Sequence, residues 1–332
     1  MTMQPVNVAI NVFGKPVQTA LTLLSLDRHC GRHLGKIYFT EENPRSPLER
    51  WRNRSQIRCL DLCLLGNHQF VFEHFGRKLE IFRPKHFLFT HNLSPLRVGF
   101  VDYRHSIRYQ YAFENSDSDF LFLTHNDCHY LGDLVGAMLD RLGDHTGAGA
   151  IGQCWNCPAF SANYCDGDRY LDYRPTLEEL RRLYEHHPSG RHYHRRNFCK
   201  SVRKDPWPLP ECRLNEWAAL INLRLARPAT VPLGSACPLG TLYQAMDTGV
   251  EWFRNVSKLG HRFLNVPLDG YVEHAMGHSS LNHEETFLAR ELGALRVLEQ
   301  EYAATIGRAE DFLRVCYPDP KVYGKFLERL SA

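Results

Sequence analysis

The chain has 332 residues, room for one large α/β unit or two modest ones. Hydrophobic residues at 43% and charged residues at 23% are ordinary globular values and exclude a disordered or fibrous chain. Forty basic against 37 acidic side chains leave +3, too little for wholesale coating of nucleic acid or membrane. Eleven cysteines are many for a reducing compartment yet far below disulfide-scaffold density. The first fourteen residues hold no Lys or Arg, and no small-residue cleavage site follows an apolar core, so a secretory signal is not expected. No uncharged apolar run nears the ~18 residues of a spanning helix. The expectation is a cytoplasmic chain with free thiols, peripheral contact with the inner face of a membrane staying open.

In chain order, Val6 to Val12 reads as a strand, and Gly14-Lys15-Pro16 turns it into a helix with Val17, Ala20, Leu21 and Leu24 on one face, closed by Gly31 and Gly35. Lys36 to Thr40 is a second strand, and Ser46-Pro47 opens a helix towards Gly66. Gln69–Glu73 and Lys78–Phe82 look like short strands, Arg97–Val101 like another, and Arg104–Asn115 like a helix. Phe120–Leu123 has the unbroken apolar character of a strand buried on both faces, and Leu131–Leu142 is an amphipathic helix ended by Gly143. Ala148–Gln153 is a further strand. Thr176–Glu185 is helical, 211–225 looks helical, 228–240 is a loop, and 248–259 is a helix. Phe263–Val266 is a strand, and His283–Arg329 reads as two helices. The strand–helix alternation predicts a doubly wound, mostly parallel central sheet.

Ligands of open α/β sheets bind beyond the carboxyl ends of the strands. That rule selects Phe13 and Gly14, Glu41 and Glu42, Asp102 and Arg104, and above all His125-Asn126-Asp127. A carboxylate and an imidazole at the mouth of a buried strand can hold a divalent cation. The competing reading is that Asn126-Asp127 merely caps the next helix.

The ordered set resembles a nucleotide-sugar glycosyltransferase of the GT-A fold, similar to glycosyltransferase family two. It comprises Asn7–Phe13, Pro16, Lys36–Glu42, Arg108–Ala112, Asp119–Asp127, Met246-Asp247-Thr248-Gly249 and Gly260-His261-Arg262-Phe263. Two positions depart from that pattern: His125 stands at the first place of the DxD-type motif, and Met246 precedes Asp247 where many members carry Glu. The resemblance implies an α/β, GT-A-like fold with a Cys/His/Arg-rich insertion and C-terminal helices. Asp127, with His125 and His274, would be the ligand set for Mn or Mg on the donor diphosphate. A further reading of His274 is a phosphate contact. Phe13, Gly14, Glu41, Asp102, Arg104, Arg108 and Asn126 would contact the nucleotide sugar, the two arginines offering forked donors to phosphate. Asp247 would be the general base of an inverting transfer to a glycan or lipid-linked acceptor. It could equally cap the helix that follows.

Cys154-Trp155-Asn156-Cys157 is a C-x-x-C pair, and with Cys165 and Cys212 it could complete a four-cysteine structural zinc site; buried thiols and a redox pair are the alternatives. Six of the eleven cysteines fall between 154 and 237. Residues 181–204 carry eight Lys or Arg against Glu185 alone, so a +7 segment hides inside the +3 total and the remainder is −4. Its interleaved Tyr, Phe and His would suit an anionic acceptor or, in a different class of function, nucleic acid.

The expected organisation is a sugar-nucleotide-binding half at 1–153, a basic Cys-rich insertion at 154–212, an acceptor-side half at 213–282 and C-terminal helices at 283–332. A zinc-stabilised nucleic-acid-binding protein would leave the sheet half and both aspartates without a role. A sugar nucleotidyltransferase would want a better Gly-rich signature than Asn11-Val12-Phe13-Gly14-Lys15.

Overall fold

The computed structural model describes residues 5–41, 68–82, 109–154, 157–186, 205–241, 247–274 and 283–330. Its strands are β1 (Val6–Val12), β2 (Leu34–Glu41), β3 (Leu79–Phe82), β4 (Phe120–His125), β5 (Cys128–Tyr130), β6 (Gly147–Ile151), β7 (Leu214–Asn222), β8 (Phe263–Asn265) and β9 (Val272–His274). Seven of them form one sheet in the order β3-β2-β1-β4-β7-β6-β8, and β5 and β9 form a separate ribbon. The pair β2·β3 and the pair β6·β8 are parallel, and β6·β7 is antiparallel. The mixed α/β expectation is therefore met. All seven residues of β1 are buried, Asn7 and Asn11 included, as in a strand covered on both faces.

Chain contacts define two compact units that interleave in sequence. The first holds 1–9, 84–123 and 135–268. Here β6 and β7 pair with Gly147 opposite Ile221, and a Cβ on Gly147 would come within 2.8 Å of the Leu220 carbonyl oxygen, so the glycine lets β7 lie close. Trp252 and Phe253 pack on Phe263 at ring distances of 5.6 and 4.7 Å, and Trp252 Nε1 donates to Thr230 Oγ1 at 2.9 Å.

The second unit holds 10–83, 124–134 and 269–332. Its helix α1 (Pro16–Cys30) starts with Pro at a first-turn position, where the missing N–H costs nothing, and carries Arg28 and His29 in its last turn. No side chain of its own caps it. That job falls to Glu291, whose carboxylate accepts from Val17 N at 3.0 Å, Gln18 N at 3.1 Å, Gln18 Nε2 at 2.8 Å and Tyr317 Oη at 2.5 Å.

Several expectations are corrected. Gln69–Glu73 belongs to α2 (Gln69–Phe75): Val71 and Phe75, four apart, are its buried face, and that spacing is helical. Gly35 lies inside β2, and α1 ends at Gly31. Helix α3 begins at Leu134 (Leu134–Leu142) and α4 spans Leu177–His186. The segment 211–225 is not one helix but β7 followed by α5 (Leu223–Ala229). The Leu, Ala and Glu of β7 are good helix formers, overridden because eight of its nine residues are buried in the sheet. Helix α6 is Val250–Lys258. The C-terminal region is not two helices but α7 (His283–Glu301), a single turn at Ala303–Ile306, α8 (Ala309–Cys316) and α9 (Pro320–Leu330), broken at Gly307 (φ 69°) and before Pro320. The helix from Ser46, the strand at Arg97–Val101 and the start of the 104–115 helix lie outside the described residues; 109–115 is helical.

Candidate divalent cation site

Within the second unit, β4 delivers His125 at its end, and the turn Asn126-Asp127 leads into β5 rather than a helix, so the capping alternative is overturned. Strand β9 lies antiparallel on β5 with His274 opposite Cys128, which brings a residue 147 positions downstream beside Asp127. His125 Nδ1 is 3.2 Å from His274 Nε2, His274 Nε2 is 3.3 Å from Asp127 Oδ1, and His125 Nδ1 is 3.9 Å from the same oxygen. Among the described residues this is the one group of three or more His, Cys, Asp or Glu whose ligand atoms all lie within 4.8 Å of one another.

The turn is seated by α1. Thr22 Oγ1 accepts from Cys128 N at 3.0 Å and Ser25 Oγ from Tyr130 N at 3.1 Å, so Thr19, Thr22 and Ser25 are a buried hydroxyl stripe one turn apart that receives β5. Asn126 Nδ2 donates to Gly14 O at 2.8 Å and Thr19 Oγ1 at 2.9 Å. The amide expected to touch a nucleotide thus clamps the loop after β1. Gly14 (φ 59°) and Lys15 (φ 56°) are both left-handed, which turns the chain sharply enough for the Lys15 side chain to reach Asp127, Nζ to Oδ2 2.6 Å.

Burial resists ionisation of Asp127, but the Lys15 ammonium and the close His274 and His125 imidazoles outweigh it and hold the carboxyl well below its usual range. The carboxylate is 8% exposed, and its Oδ1 has no well-formed hydrogen bond. A buried, ionised oxygen facing two imidazoles fits a divalent cation. Lys15 was missed as a ligand partner from sequence, although it sits in the loop after β1 where the strand-end rule points.

Phe13 follows β1 directly, Glu41 ends β2, and both are half-buried. Asp102, Arg104 and Arg108 lie outside the described residues.

In the first unit, Asp247 is 35% exposed in the turn before α6. Its Oδ2 receives Gln153 Nε2 and lies 3.3 Å from an Arg213 nitrogen, while Oδ1 accepts from Thr248 N at 2.8 Å. The N-cap of α6 is Gly249 (φ 79°) and no side chain caps it, so the capping alternative for Asp247 is also overturned. Arg213 is shared with Glu216 at 2.6 Å and Thr248 O at 3.0 Å, fixing the guanidinium beside the carboxylate.

Cys154, Cys157, Cys165 and Cys212 all line one cavity of this unit. Their sulfurs do not share a shell as small as that of the His–Asp–His group. Burial pushes Cys154 up to about 11 and Cys165 up to about 12, the opposite direction from an activated thiolate. The described part of the basic segment is the end of α4, where Arg182 pairs with Glu178; the rest lies outside the described residues. Among the described residues no helix is long and apolar enough to cross a membrane.

No protein-family model matches the chain, and no curated protein matches it. Solved structures do. The chain is similar to the mannosyltransferase PcManGT from Pyrobaculum calidifontis in complex with GDP-mannose and Mn2+ (TM-score 0.40, 11% identity, 99% of this chain and 81% of that one). It is also similar to residues 1–349 of S. aureus TarS (TM-score 0.37, 9% identity, 97% and 83%) and to the bifunctional glycosyltransferase WbbM (TM-score 0.38, 11% identity, 98% and 52%).

Proposed function

We propose that the protein transfers a sugar from a nucleoside-diphosphate donor to a hydroxyl acceptor, with a divalent cation held by His125, Asp127 and His274. The observation that carries the proposal is the buried, ionised Asp127, one oxygen neutralised by Lys15 and the other facing two imidazoles. Mixed imidazole and carboxylate donors suit manganese better than magnesium. Bound there, the cation supplies positive charge to the departing diphosphate. Lys15 adds a second positive charge at the same carboxylate.

Asp247 is the acceptor's base in this reading. Gln153, Arg213 and the Thr248 amide hold its carboxylate in one orientation, as proton abstraction requires. A carboxylate that deprotonates the attacking hydroxyl on the face opposite the leaving group inverts the anomeric centre. A hexose donor and a glycan or lipid-linked acceptor of anionic character fit the +7 segment at 181–204.

The test is thermal stability with UDP, GDP and CMP, each with and without Mn2+, followed by a screen of the corresponding sugar nucleotides for transfer. One nucleotide should stabilise the fold only with Mn2+, by about 3 kcal/mol at a hundredfold excess over its dissociation constant. Asp127→Asn should remove that dependence. Stabilisation by none of the three overturns the proposal.

A further inference from the structure

The loop after β1 sets an ammonium beside the candidate cation site, and holds it there under strain. Among the described residues, Lys15 and Asn163 are the two residues other than glycine with a left-handed backbone. Glycine would adopt that conformation more cheaply, so the Lys15 side chain earns its place by what it reaches. Its Nζ donates to Asp127 Oδ2 at 2.6 Å. An ammonium has three N–H donors, and this bond uses one of them. The Lys15 side chain is 25% exposed against 8% for Asp127, so part of it stays open to a ligand.

The point from which this side chain extends is pinned. The Lys15 carbonyl accepts from Thr19 N at 2.8 Å and Thr19 Oγ1 at 2.7 Å, and Gly14 O accepts from Asn126 Nδ2 at 2.8 Å. Helix α1 starts directly after Lys15, and the start of such a helix is a common seat for phosphate. Here the seat is taken: Val17 N and Gln18 N are both bonded to the buried Glu291 carboxylate. A phosphate reaching this loop therefore meets the Lys15 ammonium rather than the first N–H groups of the helix.

We propose that Lys15 binds the diphosphate of the donor once a divalent cation holds Asp127. The proposal rests on the transferase reading and names the side chain of this loop that grips the donor. A cation at Asp127 Oδ1 draws on the same negative charge that Lys15 neutralises from Oδ2, which loosens the bond to Nζ and frees N–H donors for phosphate oxygens. Lys15 thus acts in opposite senses on the two ligands. It competes with the cation for Asp127, and it assists the diphosphate.

The experiment is calorimetric titration of UDP and GDP into the full chain at saturating Mn2+, for wild type and Lys15→Ala, with uridine and guanosine in parallel. The variant should bind the recognised nucleoside diphosphate at least ~10-fold more weakly, the worth of one charge-assisted hydrogen bond, with its nucleoside unchanged within about twofold. Mn2+ alone should bind the same variant more tightly, and a residue that only supports the fold would not move the two affinities in opposite directions. Lys15→Arg keeps the charge and should recover part of the diphosphate affinity. If Lys15→Ala fails to fold, Lys15→Met, which keeps the apolar stem, takes its place. Equal diphosphate affinity in wild type and variant overturns this inference and leaves the transferase reading standing. Failure of both UDP and GDP to bind the wild type overturns the transferase reading and this inference with it.

Discussion

Replacing Lys15 by Ala tests the electrostatic logic of the cation site directly. Exposed ion pairs contribute about 0–1 kcal/mol and breaking a buried one costs about 3–5 kcal/mol. With Lys15 25% and Asp127 8% exposed, the pair lies between those limits. Lys15→Ala should therefore destabilise the metal-free protein by about 2 kcal/mol, a fall in melting temperature of about 3 °C for a chain of this size. The same 2 kcal/mol no longer has to be overcome when a cation takes Asp127, so Mn2+ should bind roughly 30-fold tighter to the variant. The assay is scanning fluorimetry at pH 8 across a Mn2+ titration, where the variant starts lower and gains more.

Lys15→Gly supplies an internal control. Its left-handed backbone (φ 56°, ψ 57°) strains any residue with a Cβ, so glycine should recover about 1 kcal/mol of the alanine variant's loss without changing its Mn2+ affinity. An alanine variant that melts within about 1 °C of the wild type and responds to Mn2+ identically would refute the reasoning.

Asp247→Asn should keep Mn2+-dependent nucleotide binding and lose at least ~100-fold in kcat, measured with the active donor; retained turnover removes Asp247 as the base. Arg213→Lys keeps the charge but loses the fork between Asp247 and Glu216, and should lower kcat with little change in donor KM. Glu291→Ala leaves the first N–H groups of α1 and the Tyr317 hydroxyl without their acceptor, and should cost about 3–5 kcal/mol by chemical denaturation. Burial pushes the Glu291 carboxyl up, against four hydrogen bonds that favour its charged form. Its contribution is thus fully present below the usual Glu value and is lost as pH rises through the raised one; Glu291→Gln should flatten that slope in urea melts run from pH 4 to pH 7.

The sheet was legible where a buried strand reads as an apolar run, unbroken in Phe120–Leu123 and interrupted only by Asn7 and Asn11 in β1. It was illegible at β7, because Leu-Asn-Glu-Trp-Ala-Ala-Leu carries helix-favouring residues and only the glycines of β6, far away in sequence, reveal that a strand packs there. For the site, the strand-end rule located His125 and Asp127, and His274, also a candidate from sequence, is brought beside them by a three-residue ribbon whose pairing no local pattern encodes. The tie that Asn126 makes to the loop after β1 was not legible, because an amide at a strand end serves equally well to bind a ligand or to join one loop to another. Gln153 and Arg213 carried no signal, since their importance comes from neighbours tens of residues away.

The pairing of β5 with β9 also sets a schedule. Asp127 and His274 stand 147 residues apart, so during synthesis at 5–20 residues per second they emerge roughly 7 to 30 s apart. Throughout that interval Lys15, already synthesised, is available to neutralise Asp127. The nascent chain can thus shelter a buried carboxylate with its own ammonium long before the second imidazole exists. The proposed cation site is completed only by a chain that has reached β9.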